Sequence, residues 1–194
     1  MNFSYKYHID QERWVQCMHE EFSPLYPKLQ EMLREYAPDL IIELGTKYGG
    51  MTMVFHEACP GTAIYSYDNR VYDETNDLFA HEQVKLHPEW YPPCVEFRVE
   101  DVLTFNQGIV DAITRYTGKV FLYSDNGNKV GEVQSYGPYL KVGDLLGFHD
   151  CPGEITPEQV ADVLKDFEPH PINEWLIANG CSDRFFVKVH ATVI

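Results

Sequence analysis

One segment constrains the fold of this chain more than any other: Leu40-Ile41-Ile42-Glu43-Leu44-Gly45-Thr46-Lys47-Tyr48-Gly49-Gly50-Met51-Thr52. Leu40 to Leu44 is a short apolar run suited to a strand buried on both faces. It breaks into glycines, which remove side chains where a ligand must approach the backbone. Helical periodicity resumes at once, with Met51, Val54, Phe55 and Ala58 on one stripe. The glycine loop therefore sits over a helix N-terminus, whose free N–H groups favour polar or anionic ligand groups. Its spacing is not the Gly-x-Gly-x-x-Gly of dinucleotide-binding loops. It reads Glu-x-Gly-x-x-x-Gly, from Glu43 through Gly45 to Gly49.

Strand-like runs recur at Ala63–Asp68, Val95–Glu100, Lys119–Asp125 and Asp144–Asp150. The connections between them are long enough for helical crossovers, which predicts a parallel sheet. Ile109, Val110, Ala112, Ile113 and Tyr116 form one crossover face, and Val130, Val133, Gly137 and Leu140 a weaker one. The expected fold is a doubly wound, mostly parallel, Rossmann-like α/β sheet with helices on both faces. Ahead of it, residues 1–38 read as a helical segment packed on a core domain of residues 39–194. Its first stripe is Trp14, Val15, Met18 and Phe22, and its second is Leu25, Leu29, Met32, Leu33 and Tyr36, stopped by Pro38. The stretch from Val71 to Cys94 reads as a partial helix followed by an irregular loop, suited to lining an acceptor pocket. After Asp150 come a helix carrying Val160, Val163, Leu164 and Phe167, a short helix around Ile172, Trp175 and Leu176, and an alternating strand from Arg184 to Ile194.

The chain has 194 residues, enough for one domain with a core that needs no staples. Its 15 Lys plus Arg against 30 Asp plus Glu give a net charge of −15, which repels a phosphate backbone and argues against nucleic acid as a partner. Cys17, Cys59, Cys94, Cys151 and Cys181 form no C-x-x-C pair and read as reduced thiols of a cytoplasmic protein. The first residues lack a hydrophobic signal core, and no apolar run approaches the roughly 20 residues of a membrane span.

The Glu43 to Gly49 spacing is that of motif I in class I S-adenosylmethionine-dependent methyltransferases. The longer string E-L-G-T-x-x-G-G-x-T resembles the cephalosporin-hydroxylase-like and macrocin O-methyltransferase-like branch of that family. The resemblance implies a sheet of seven strands ending in an antiparallel hairpin, one strand more than is legible. Either a strand is hidden between Phe167 and Ser182, or the chain is a trimmed version. It also implies that Glu43, Gly45, Thr46, Gly49, Gly50 and Thr52 hold S-adenosylmethionine. Asp68, 25 positions after Glu43 at the end of the second strand, would accept both ribose hydroxyls, and Asp101 would lie beside the adenine. Plain readings stand beside these, with Asp68 as a turn cap and Asp101 as a helix N-cap.

The ends of strands four and five, Tyr123-Ser124-Asp125-Asn126 and Phe148-His149-Asp150, should flank the transferred methyl. Here the chain follows the resembling branch only in part: Tyr123 replaces an acid, Asn126 a histidine, and His149 the first acid of a pair. Two mechanisms stay open. In one, Asp125, Asp150 and Asn126 hold Mg²⁺, which lowers the pKa of a coordinated acceptor hydroxyl. In the other, His149 is the general base, with an ordinary pKa near 6.5 and Asp150 or Asp125 orienting it. Lys129 reads either as reaching an anionic acceptor or, more simply, as a residue of the following helix. The expected activity is methylation of a hydroxyl on a small-molecule or sugar-like acceptor, with self-association left open. The rivals are a catalytically silent module that binds S-adenosylmethionine or a nucleotide, and a nicotinamide-dependent oxidoreductase.

Overall fold

In the computed structural model, which describes residues 25–47, 49–69 and 92–192, the apolar run Leu40–Leu44 forms β1, buried along its whole length. Burial on every residue follows from its place in the sheet. β1 pairs in parallel with β2 (Ala63–Asp68) on one side and β4 (Val120–Ser124) on the other. Beyond them lie β3 (Val95–Val99) and β5 (Leu145–Phe148), also parallel. β7 (Arg184–Lys188) runs antiparallel between β5 and β6 (Phe167–Pro169), giving the order β3-β2-β1-β4-β5-β7-β6 among the described residues.

Alternation along the strands splits the core in two. Ile41, Phe121, Tyr123, Leu145 and Phe185 face α1 (Leu25–Tyr36), α2 (Gly50–Ala58) and α6 (Ile172–Ala178), whose Leu29, Leu33, Phe55 and Leu176 complete that layer. Leu40, Ile42, Leu44, Leu122 and Leu146 face the opposite way. There α3 (Gln107–Arg115), α4 (Lys129–Tyr136) and α5 (Ala161–Leu164) supply Ile109, Ile113, Val133 and Val163. Each fully buried Leu or Ile contributes roughly 1.5–3 kcal/mol, so helices on both faces are what make an apolar strand like β1 stable.

The hidden strand is β6, within the stretch between Phe167 and Ser182. Phe167, expected on the stripe of a helix, instead opens it, because α5 ends at Leu164 after a 3₁₀ turn over Pro157–Val160. The last strand is shorter than the expected Arg184–Ile194. After Lys188 the amides of Val189 and His190 both donate to the Asp166 carbonyl, at 2.9 and 3.1 Å, which folds the chain over the start of β6. The stripe from Trp14 to Phe22 and the pocket loop from Val71 to Tyr91 lie outside the described residues. No helix among the described residues is long and apolar enough to cross a membrane.

Candidate functional site

Strand order reverses between β1 and β4, and open α/β sheets bind ligands in the crevice at the carboxyl ends of such neighbours. Both glycines that frame the loop after β1 are left-handed, Gly45 at φ +101° and Gly49 at φ +78°, the latter starting α2. Gly45 donates to the Tyr67 carbonyl at 2.8 Å, and the Lys47 amide donates to Asp68 Oδ2 at 2.9 Å. The loop and Asp68 are thus brought together, as expected. One oxygen of the almost wholly buried Asp68 is, however, spent on the loop itself.

Beneath the loop lies a buried acid wrapped in hydroxyls. Glu43 Oε2 accepts from Ser66 Oγ at 2.5 Å and from Thr52 Oγ1, and Ser66 Oγ lies 2.6 Å from Thr46 Oγ1. Burial pushes the Glu43 carboxyl up to about 8, against the lowering effect of the Ser66 and Thr52 bonds, which favours its neutral form. Thr46 and Thr52 were expected to touch cofactor; their hydroxyls instead turn inward to this web. Ser66 was not anticipated, although its register opposite Glu43 is the signal that finds it. Glu43 Oε1, Asn69 Oδ1 and Asn126 Nδ2 are buried without a hydrogen-bond partner, and they sit at the carboxyl ends of β1, β2 and β4. Orphaned polar atoms at three neighbouring strand ends suit a ligand that brings both donors and acceptors, as the amino-acid end of S-adenosylmethionine does.

Asp101 follows β3, but its carboxylate is engaged locally. Oδ1 accepts from the Leu103 amide at 2.9 Å, and Oδ2 from Thr104 Oγ1 at 2.7 Å. It caps that turn; the N-cap of α3 is Asn106, whose side chain accepts from the Gly108 amide.

At the ends of β4 and β5 the structure gathers a charged cluster. Asp125, His149 and Asp150 each present one atom within 4.8 Å of the others, a spacing that a divalent cation can use. Lys129, the first residue of α4, already supplies a cation there. Its Nζ lies 2.9 Å from Asp150 Oδ2, 2.7 Å from Glu154 Oε2 and 3.5 Å from Asp125 Oδ1, and its side chain is only 4% exposed. Burial opposes that charge, and the bonds to Glu154 and Asp150 overcome it, holding the ammonium above the ordinary lysine range. The expected metal set of Asp125, Asp150 and Asn126 therefore does not fit an added Mg²⁺: a fixed ammonium already bridges its two acids. Reading Lys129 as a plain helix residue is corrected with it.

His149 also departs from its expected role. Its Nδ1 lies 3.2 Å from Asp183 Oδ1 and its Nε2 3.2 Å from Asp150 Oδ1. Burial works against its charge, yet the bond and charge of Asp183, with Asp125 and Asp150, push it up to about 9. The two carboxylates at 3.2 Å thus favour its imidazolium form, which accepts no proton. Asp150 does orient it as expected, but the buried partner is Asp183, which also accepts from Tyr123 Oη at 2.6 Å. Asp183 escaped sequence reasoning because it precedes a strand. β7 is antiparallel, with Arg184 opposite Phe148, so the start of β7 lies beside the end of β5. Asp125 is raised to about 6 by burial, partly offset by His149 and Lys129. Asp150 holds φ +58°, a left-handed conformation of the kind that concentrates at functional sites. Next to the cluster opens a cavity of about 410 Å³, walled by Asp150, Pro152, Glu154, Ile177 and Arg184 among others. That volume lies within the range of small-molecule sites.

Neither a family model nor a curated protein sequence matches this chain. Its fold is nevertheless that of solved methyltransferases. A methyltransferase from Geobacter sulfurreducens superposes with a TM-score of 0.57 at 17% identity, over 85% of this chain and 79% of that one. A Podospora anserina methyltransferase, solved bound to S-adenosylhomocysteine, does so with a TM-score of 0.54 at 12% identity, over 97% and 86%. For an S-adenosylmethionine-dependent O-methyltransferase from Thermotoga maritima the values are 0.53 and 19%, over 85% of this chain and 64% of that one. The chain has the seven-stranded, Rossmann-like fold of the class I methyltransferases.

Proposed function

We propose that this protein is an S-adenosylmethionine-dependent methyltransferase that methylates a hydroxyl group of a small, dissolved acceptor in the cytoplasm. The observation that carries this is the left-handed glycine loop resting on Asp68 at the switch point, beside unpartnered polar atoms of Glu43, Asn69 and Asn126. The solved methyltransferases of the same fold, one bound to S-adenosylhomocysteine, support it. The donor supplies a sulfonium methyl group, the electrophile of the reaction.

In this reading Glu43 and Asn126 take the amino-acid end of the donor, and Asp68 takes the ribose hydroxyls. The cavity beside Asp150 holds the acceptor. Fixing the two reactants in line contributes roughly 7–11 kcal/mol, the largest share of the acceleration. Proton removal is worth roughly 10²–10⁴-fold and falls to Asp125, partly exposed at the end of β4 and poised near neutrality. His149 and Lys129 balance the acids around it. The net charge of −15 speaks against nucleic acid and anionic membrane surfaces as partners.

Thermal unfolding with S-adenosylhomocysteine tests the reading. Ligand at 100 times its dissociation constant stabilises by about 2.7 kcal/mol. For this chain length that raises the midpoint by roughly 5–10 °C. A shift with NADH and none with S-adenosylhomocysteine would overturn it. Binding without methyl transfer to any member of a hydroxyl panel would identify a silent binding module.

A further inference from the structure

Lys129 sits against the preference of its own helix. It is the first residue of α4, an eight-residue helix whose positive end disfavours a cation. Its side chain is nevertheless nearly sealed and reaches three carboxyl groups from two separate segments, Asp125 after β4 and Asp150 and Glu154 on the cavity wall. A buried cation in that geometry persists because the acids require it: without it, Asp125 and Asp150 would face each other with His149 as their remaining cation. The same acids, with His149, offer the spacing of a divalent-cation site. An ammonium and a divalent ion cannot both sit between those two carboxylates, because the two cations would repel each other at close range in a partly buried setting.

We propose that Lys129 stands in the place of a divalent metal ion, as the built-in cation that gathers Asp125 and Asp150 at the acceptor end of the site. The protein therefore works without a metal there, and removing the ammonium converts the same oxygens into a metal site. The part of this that concerns turnover rests on the methyltransferase reading; the part that concerns cation binding does not.

Titration with Mn²⁺, following the electron paramagnetic resonance signal of the free ion, separates the two. The wild type and Lys129→Arg should leave the signal unchanged except for weak uptake by surface acids. Lys129→Met, which keeps an apolar stem, should take up one ion per chain at least about tenfold more tightly, and adding Asp125→Asn should abolish that uptake. Lys129→Gln replaces Lys129→Met if the latter does not fold. Wild-type turnover should be indifferent to EDTA. Uptake of one tightly bound Mn²⁺ by the wild type would overturn the proposal, as would failure of every folded lysine-free variant to bind Mn²⁺ better than the wild type. Absence of an S-adenosylhomocysteine shift in the wild type would instead defeat the methyltransferase reading and leave the Mn²⁺ result to judge Lys129 alone.

Discussion

Gly45 packs directly against the backbone of Asp125: a Cβ built on it would overlap the Asp125 carbonyl and stand 2.7 Å from the Asn126 amide nitrogen. The first glycine of the loop after β1 is thus needed twice, for its φ of +101° and for the close approach of the β1 and β4 ends. The obstructing atoms are backbone and cannot rotate away. Gly45→Ala should therefore destabilise the protein by roughly 1–3 kcal/mol or more, lowering the thermal midpoint by several degrees. Because the displaced partner carries Asp125, affinity for S-adenosylhomocysteine and turnover should fall together. An unchanged midpoint would mean that the two loops are not in contact.

The site stores protons. Burial raises Glu43 to about 8, Asp125 to about 6, and Glu132 of α4, which accepts from Ser124 Oγ at 2.5 Å, to about 7, each from an ordinary carboxyl value near 4, while its acidic neighbours raise His149 from 6.5 to about 9 despite burial. The sign is the same for all four. A folded pKa above the unfolded one means that folding takes up protons, so stability is fullest below the unfolded value and is lost as pH rises toward the folded one. The thermal midpoint of the ligand-free protein should fall between pH 6 and pH 9. His149→Gln isolates one contribution: its deficit against the wild type should be largest near pH 6 and shrink toward pH 9. A wild-type midpoint that climbs over that interval would contradict the assignment.

How much of this was legible in the sequence depended on how local the signal was. β1, its glycine loop and α2 declared themselves because apolar run, left-handed turn and helical stripe are consecutive. β2 was read to the residue, and with it Asp68, since carboxyl ends of parallel strands converge on one edge. β6 was not, being three residues long and ending in Pro169. Asp183 and the partners of Lys129 were missed for a shared reason: both depend on tertiary neighbours that periodicity does not encode, Asp183 lying at the start of an antiparallel strand and Lys129 meeting Asp150 and Glu154 of a separate segment. Ser66 lay between, visible only once the register opposite Glu43 was known.

Glu43→Gln tests the neutral acid beneath the loop. The amide oxygen can still accept from Ser66 and Thr52, as Glu43 Oε2 does, while the ionisation penalty disappears. Wild type and variant should melt alike below about pH 4, where Glu43 is protonated folded and unfolded, and the variant should melt higher above pH 8. If Oε1 receives the ammonium of the donor, as its lack of a partner suggests, affinity for S-adenosylhomocysteine should drop about tenfold or more in the same variant. Higher stability at alkaline pH with unaltered affinity would keep the burial argument and reject the ligand contact.

Asp183→Asn separates charge from hydrogen bonding at the cluster. Both Tyr123 and His149 meet Asp183 through Oδ1, which an asparagine reproduces as an acceptor without its charge. The hydrogen bond to Asp183 is the largest influence raising His149 and the Asp183 charge the next, so losing the charge alone should move the titration midpoint down from about 9 toward 6.5. Histidine C2–H resonances followed by NMR read this directly, with His149→Gln assigning the signal among the eight histidines. The consequence for catalysis has a definite direction. At pH 7.5 a neutral His149 no longer balances the neighbouring acids, so the carboxyl of Asp125, which that cation lowers, should titrate higher and the acid limb of the pH–rate profile should move to higher pH. A rate profile that stays in place while the His149 resonance shifts would show that Asp125 is not the group whose ionisation governs turnover.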